Sequence, residues 1–272
     1  MTQMSEAMAA LTETGSRGHG AERAVTSDLS IDETLLLHSI GWEPVDLVFG
    51  VSWYSVPWGA WQWQVGEVVD ACSAFTGAMA EASDKMRAES SHVGGSGVVG
   101  VNVEVQVRSH HVAVSLTGTA IRRSGASSTG FEFLSDLSAR DFVLLSRSGW
   151  ASISLAAGAS FVVAPRRTAG QWASQQGQNV ELPNLTQALY QAREGAMLRM
   201  QQAGIDAQAD GIVSVKLNEG PLGHSSRIMQ FVAFGTAVRL DGDHHVSLKP
   251  QMVMSLNDSV LEFEAASLRK AP

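Results

Sequence analysis

The sequence predicts an α+β fold of two tandem β-β-α-β-β domains, each with one helix packed on an antiparallel sheet. The main observation is an internal repeat, in which residues 118–122 and 235–239 read Gly-Thr-Ala-Ile-Arg and Gly-Thr-Ala-Val-Arg at an offset of 117. Gly41-Trp42 likewise returns as Gly149-Trp150 at an offset of 108. Because the offset grows along the chain, the copies differ by short insertions. A unit of roughly 100 residues is too long for a solenoid repeat and suits a small domain.

Each copy is predicted to open with a pair of strands. In the first copy the pair is 34–39 and 45–54, and in the second it is 142–146 and 152–163. Segment 45–54 alternates in hydrophobicity, which is typical of a strand with one apolar face. The residues on that predicted face are Leu47, Phe49, Val51 and Trp53.

A helix follows in each copy, because apolar residues recur there at intervals of three and four. The stripe in the first copy is Val68, Cys72, Phe75, Met79, Ala82 and Met86, and in the second it is Leu185, Leu189, Ala192, Ala196, Met200 and Ala203.

A hairpin closes each copy. Valines alternate with other residues over 99–107, and 112–122 forms the return strand; 212–217 and 228–239 do the same in the second copy. The repeat therefore predicts four segments. They are a disordered N-terminal tail at 1–28, a first repeat at 29–125, a second repeat at 130–245 and a C-terminal strand extension at 246–272.

Composition narrows the class of protein. The formal net charge of −8 argues against nucleic acid and against an anionic membrane surface as partners. The single cysteine, Cys72, excludes a disulfide framework within the chain, and its place on the helical stripe predicts core packing. The start lacks the pattern of a signal peptide, and no apolar run reaches the ~20 residues of a membrane span. These features predict a cytoplasmic protein.

The second copy carries a family resemblance. Its residues are Ala192-Arg193-Glu194, Met200, the run 209–215 and the closing run 234–239, Phe-Gly-Thr-Ala-Val-Arg. They resemble the YbjQ-like family of small bacterial proteins, which is labelled heavy-metal-binding. The resemblance implies an α/β subunit that assembles into a pentameric ring, with no established catalytic residues. A tandem chain with a C-terminal extension departs from the one-domain pattern of that family.

Three histidines are the candidate metal ligands. His110 and His111 lie in the first hairpin turn, and His224 lies in the corresponding loop of the second copy. Imidazoles bind zinc, copper and nickel, so a divalent transition metal is the cofactor class to consider. The alternative is that these are exposed polar turn residues.

A tryptophan-rich segment is the candidate ligand or partner surface. Trp53, Trp58, Trp61 and Trp63 fall within residues 53–63. Indole rings supply large contact areas and are enriched in binding surfaces. The alternative is a local cluster that packs over the end of the sheet.

The best-matched dipeptides are Gly118-Thr119 and Gly235-Thr236. A glycine inside a strand marks a bulge or a close backbone approach, so these positions are predicted to be strand bends or assembly contacts. A threonine nucleophile would need a base beside it, and the sequence shows none.

Together these observations favour a non-enzymatic, ring-forming protein that binds a heavy metal or a small ligand. Its main partner would be itself, in a five-fold ring or a pseudo-symmetric variant, with a second protein as a further partner. One alternative is a structural assembly scaffold that uses the tryptophan-rich segment. Another is an enzyme whose site forms between subunits, where no single-chain motif would show.

Overall fold

The computed structural model describes residues 25–57, 59–61, 65–108, 110–125, 130–168, 170, 179–222 and 227–241. The helices are α1 (Ile31–Ser39), α2 (Val69–His92), α3 (Ala139–Arg147) and α4 (Pro183–Asp206). The strands are β1 (Trp42–Ser55), β2 (Gly66–Glu67), β3 (Gly97–Val107), β4 (His111–Arg123), β5 (Phe133–Leu134), β6 (Trp150–Val163), β7 (Gly211–Pro221) and β8 (Ile228–Leu240). The α+β class with mainly antiparallel sheets is confirmed.

The first element of each repeat is a helix, so the strands predicted at 34–39 and 142–146 are wrong. Ser30 caps α1 with a capping box, in which its hydroxyl accepts from the Glu33 amide and Glu33 bonds back to the Ser30 amide. Ser138 caps α3 by accepting from the Asp141 amide. A short apolar run does not distinguish strand from helix by periodicity alone, and here the caps decide for helix.

The described strands form two four-stranded sheets, and each sheet borrows a strand from the other repeat. Sheet A has the order β1-β4-β3-β5, and sheet B has the order β2-β6-β8-β7. Strand β2 comes from the first repeat but pairs antiparallel with β6 of the second. Strand β5 comes from the start of the second repeat but pairs in parallel with β3 of the first. The repeats are therefore joined by a reciprocal exchange of short strands.

The layers stack in the order sheet A, α2, sheet B and α4. One hydrophobic cluster contains Leu116 of β4, Phe75 of α2 and Phe161 of β6, which places α2 between the two sheets. A second cluster joins α4 to the other face of sheet B, through residues such as Ala196 and Met200. The predicted α2 stripe is buried in full, which confirms it.

Two matched glycines let each helix lie close against its own sheet. A Cβ added at Gly50 of β1 would lie 2.0 Å from the Ala82 carbonyl oxygen of α2. A Cβ at Gly158 of β6 would lie 2.2 Å from the Ala196 carbonyl oxygen of α4. Backbone atoms at this distance cannot be moved aside as a side chain can. The repeat of this glycine at offset 108 reflects the same helix-to-strand contact in both copies.

The Gly-Thr dipeptides lie opposite irregularities in the neighbouring strands. The β3–β4 register shifts between Val99 and Asn102, and the β7–β8 register shifts between Val213 and Lys216. Gly118 and Gly235 lie beside these shifts, where an added Cβ would meet Val98 or the Val213 carbonyl. Such bulges bend a strand locally.

Candidate functional site

The outer face of β1 is the most exposed apolar strip of sheet A. We call outer the sheet face turned away from the helix of the same repeat. Its residues Phe49, Val51 and Trp53 are 47%, 42% and 72% exposed. Their matches at offset 108 in β6 are Ala157, Ala159 and Phe161, and Phe161 is 0% exposed because α2 covers it. The same face is thus covered in one repeat and open in the other.

The predicted tryptophan surface divides into separate parts. Trp53 lies on the open face of β1 and stacks on His111, with ring centroids 5.9 Å apart. Trp61 packs edge-on against Phe161, at a centroid distance of 5.8 Å, so it helps to cover sheet B. Trp58 and Trp63 lie outside the described residues.

The two described histidines of the predicted metal site are neighbours at the start of β4. The rings of His110 and His111 are 6.4 Å apart and tilted by 49°. His224 lies outside the described residues. Within the described part of the chain, no group of three His, Cys, Asp or Glu side chains comes together to hold a metal ion. His110 and His111 therefore do not make a metal site with the described residues alone.

Each matched threonine binds an aspartate that precedes the first helix of its repeat. Thr119 Oγ1 donates to Asp28 Oδ1 at 2.6 Å, and Thr236 Oγ1 donates to Asp136 Oδ1 at 2.5 Å. These aspartates belong to the sequence Ser-Asp-Leu-Ser, which occurs at 27–30 and again at 135–138. Sequence reasoning missed this repeat, although its offset of 108 equals that of the Gly-Trp pair.

The second of these contacts is more enclosed and more charged than the first. Asp136 N donates to Thr236 Oγ1 at 2.9 Å, and Ser135 Oγ lies 3.0 Å from the same oxygen. The Lys216 ammonium lies 3.2 Å from Asp136 Oδ2, an ion pair without the alignment of a hydrogen bond to that oxygen. A carboxylate therefore does stand beside Thr236, contrary to the expectation from sequence. Both side chains are buried, which favours a structural contact over a nucleophile that meets a substrate.

A second polar cluster fastens the two repeats together. Glu67 of β2 receives Arg199 of α4 through two hydrogen bonds, at 2.8 and 3.0 Å, and Ser160 of β6 donates to it at 2.5 Å. The Arg199 hydrogen bond is the main cause that lowers the pKa of Glu67 below its ordinary value of 4.5, with Ser160 adding to it. The cluster is a part-buried ion pair across the junction between repeats.

Cys72 lies beside this cluster and is buried, as the sequence predicted. Burial raises the pKa of its thiol to about 11, and the nearby Glu67 carboxylate adds to the rise. A thiol with such a pKa is almost wholly protonated at neutral pH, so it is a poor nucleophile and metal ligand.

A known protein family matches part of the second repeat. Residues 177–241 match the YbjQ family, described as "Putative heavy-metal-binding". The match lies within the second repeat, from the entry to α4 through β8, and does not include α3 or β6. It confirms the family resemblance, while the tandem organisation is carried by the internal repeat.

Most of the chain is similar to a particular bacterial protein. It is 35% identical over 250 residues to the "Encapsulin nanocompartment protein Rv1762c" of Mycobacterium tuberculosis, an alignment that covers 87% of this chain and 94% of that protein. The chain belongs to the family of that protein. No solved structure matches this chain. Among the described residues, no helix is long and apolar enough to cross a membrane.

Proposed function

We propose that the protein is a non-enzymatic structural subunit that assembles with copies of itself, the alternative that the sequence offers to a ring-forming protein that binds a metal or a small ligand. The observation that carries this proposal is the open apolar face of β1, with Phe49, Val51 and Trp53 exposed. Exposed apolar strips of this kind mark interaction surfaces. The relative in Mycobacterium tuberculosis is named as an encapsulin nanocompartment protein, which supports the same proposal. A five-fold ring, which the YbjQ-like resemblance implies, is one arrangement that such a subunit would take.

The mass of the protein in solution tests self-assembly. Light scattering of the protein as it elutes from a size-exclusion column is expected to give a molecular mass that is a multiple of the 28.9 kDa of one chain. Val51→Asp places a charge on the open face and is expected to reduce that mass. Leu144→Asp is the matched control, because Leu144 on α3 is 44% exposed against 42% for Val51. A wild-type mass of one chain at all concentrations would contradict the proposal.

Metal binding is a second candidate function, favoured by the family description of residues 177–241. Of the three predicted ligands the described residues include His110 and His111, and no third possible ligand joins them there, so further ligands would have to come from elsewhere in the chain or from a second copy. Metal analysis of protein purified without a histidine tag tests this function. Bound zinc, copper or nickel, lost in a His110→Ala, His111→Ala variant, would support it; no bound metal and an unchanged melting temperature on adding these ions would exclude it.

A further inference from the structure

The junction between the two repeats of one chain consists of three kinds of contact. Strand β2 extends sheet B along the edge of β6. Glu67, which belongs to that strand, binds Arg199 of α4 and Ser160 of β6. The side of α2 turned away from sheet A covers the outer face of sheet B, where Phe161 is buried.

Each residue of the Glu67 cluster has a matching residue in the other repeat. Among the described residues of one chain, these matching residues form no hydrogen bond or ion pair with one another. Glu67 matches Glu181 and Arg199 matches Lys85 at offset 114, while Ser160 matches Ser52 at offset 108. Glu181 is exposed, and the Lys85 side chain is 52% exposed. The face that matches Phe161 is the open strip around Trp53. The residues of a second junction are thus present at the two ends of the fold.

We propose that two copies join head to tail through a junction that reproduces this internal one, an inference that rests on the proposed self-assembly. Glu181 of one copy pairs with Lys85 and Ser52 of the next copy. The segment 180–181 of the first copy extends the sheet along the edge of β1 of the next copy. The exposed side of α4 covers Phe49, Val51 and Trp53. The occupant of the open face is therefore a second copy of this chain.

The strand that receives segment 180–181 in this proposal is β1. It is the end strand of sheet A, as the order of strands shows. Two side chains of α2 bond its outer backbone groups: the Phe49 amide donates to Glu89 at 2.7 Å, and Lys85 donates to the Val51 carbonyl at 3.1 Å. Further along, Tyr54 and Ser55 occupy the places of Val162 and Val163, the two residues of β6 that receive β2.

The other end of the chain offers the complementary half. In the first repeat, Phe133 of β5 packs on Gly97 at the start of β3. The matching place in the second repeat is Gly211 at the start of β7, which lines an apolar groove of about 450 Å³ together with Met200 and Ile212. At offset 108 from Phe133 stands Val25, which is 57% exposed. In a head-to-tail pair, Val25 of one copy enters this groove of its neighbour.

One substitution makes the junction between chains weaker than the internal one. The small Gly195 beside Glu67 is replaced at the matching position by Glu81, which pairs with Lys85 at 3.5 Å. Lys85 therefore faces two carboxylates in the junction between chains, whereas Arg199 faces Glu67. Contacts between different surfaces of identical subunits close into a ring when the rotation permits it, and otherwise grow into filaments.

Reversal of the charges tests the junction. Glu181→Lys and Lys85→Glu are each expected to lower the assembled mass of the full-length protein toward the 28.9 kDa of one chain. The double variant is expected to restore it, because the introduced ammonium then faces the introduced carboxylate and that of Glu81. Asp84→Lys is the control, since it reverses a charge on the same helix at the position that matches the exposed Leu198. Trp53→Arg adds an independent disruption on the open face, with the circular dichroism melt confirming that each variant is folded.

The outcomes separate the two proposals. A wild-type mass of one chain overturns both self-assembly and this junction. An assembled wild type whose mass is unchanged by Glu181→Lys and Lys85→Glu, or a double variant that stays dissociated, overturns the junction and leaves self-assembly standing. Loss in both single variants with recovery in the double variant supports it.

Discussion

Helices α2 and α4 have the same length of 24 residues and the same inner stripe, but they differ in what covers their second side. Ala74, Ala78, Ala82 and Met86 of α2 match Ala188, Ala192, Ala196 and Met200 of α4, and all are buried. Helix α2 also buries Cys72, Phe75 and Met79, which belong to the hydrophobic cluster between the two sheets. The matching residues of α4 are Thr186, Leu189 and Arg193, which remain partly or fully exposed. The comparison teaches that one repeat completes its core only when another repeat stacks on it.

The largest expected effect comes from filling the helix-to-strand contact. Gly50→Ala and Gly158→Ala each push a Cβ against a helix carbonyl, and we expect losses in the free energy of unfolding of about 3 and about 2 kcal/mol. Gly50 should cost more, because α2 is held between two sheets and cannot move outward as α4 can. Urea denaturation measures both. Gly211→Ala is the control, since its nearest neighbour would be 3.9 Å away; equal losses at Gly50 and Gly158 would contradict the difference between the helices.

The two Asp–Thr contacts provide the second comparison. Thr236→Val removes the donor to the buried Asp136, and we expect a loss in the free energy of unfolding of about 2–3 kcal/mol. Thr119→Val removes the corresponding bond to the exposed Asp28, where water can replace it, and about 1 kcal/mol is expected. Both are measured by urea denaturation. A larger loss at Thr119 would show that burial does not set the difference.

The Glu67–Arg199 pair is expected to contribute a smaller, pH-dependent effect. Glu67→Gln should lower the free energy of unfolding by about 1 kcal/mol at neutral pH, because a charged hydrogen bond is lost and partial exposure screens it. The pKa of Glu67 is lowered from 4.5, so its stabilisation is present above that pH and disappears as pH falls through the lowered value. Wild type and variant should therefore converge in acid.

Urea titrations at a series of pH values measure this convergence. Glu132→Gln breaks a surface pair with Arg123 and serves as the control, with an expected change within about 0.5 kcal/mol. A constant difference between wild type and Glu67→Gln at every pH would contradict the role assigned to ionised Glu67.

At neutral pH the smallest expected effect on stability is that of Cys72, because its thiol stays protonated there. With its pKa raised to about 11, the thiol is expected to resist thiol-reactive reagents in the native protein and to react once the protein is unfolded. Stability should fall with rising pH from the ordinary value of 9.0 toward 11, because only the unfolded state then ionises. Spectrophotometric titration with a thiol reagent tests the expected resistance of the Cys72 thiol in the native protein. Rapid reaction of the native protein would show that the junction opens.

The sequence predicted the elements whose periodicity is long and missed those that depend on local capping. The stripe of α2 and the hairpin β3–β4 follow from alternation and helical spacing over many residues. The sequence predicts a strand where helix α1 lies, because Leu35-Leu36-Leu37 is a short apolar run and the decisive signal is the Ser30–Glu33 capping box. The Asp28 and Asp136 contacts could have been found from the repeated Ser-Asp-Leu-Ser.

The exposed face of β1 and the contacts between the repeats could be predicted only in part, and the reason is different. The alternation in β1 placed Phe49, Val51 and Trp53 on one face, but whether a face is covered depends on which elements stack on it. The pairing of Glu67 with Arg199 joins residues 132 positions apart through an exchanged strand. No local pattern predicts such a contact, since it arises from the topology of both repeats together.

The reciprocal exchange of β2 and β5 has a consequence for how the protein tolerates dilution. The covalent connection between the repeats keeps their junction at a high effective concentration. That junction therefore persists however little protein the cell contains. A junction between chains has no such tether and must be held by its contacts alone. In the proposed head-to-tail assembly, half of the junctions would therefore be permanent, because they lie within one chain, and the other half would form or dissociate with the concentration of the protein.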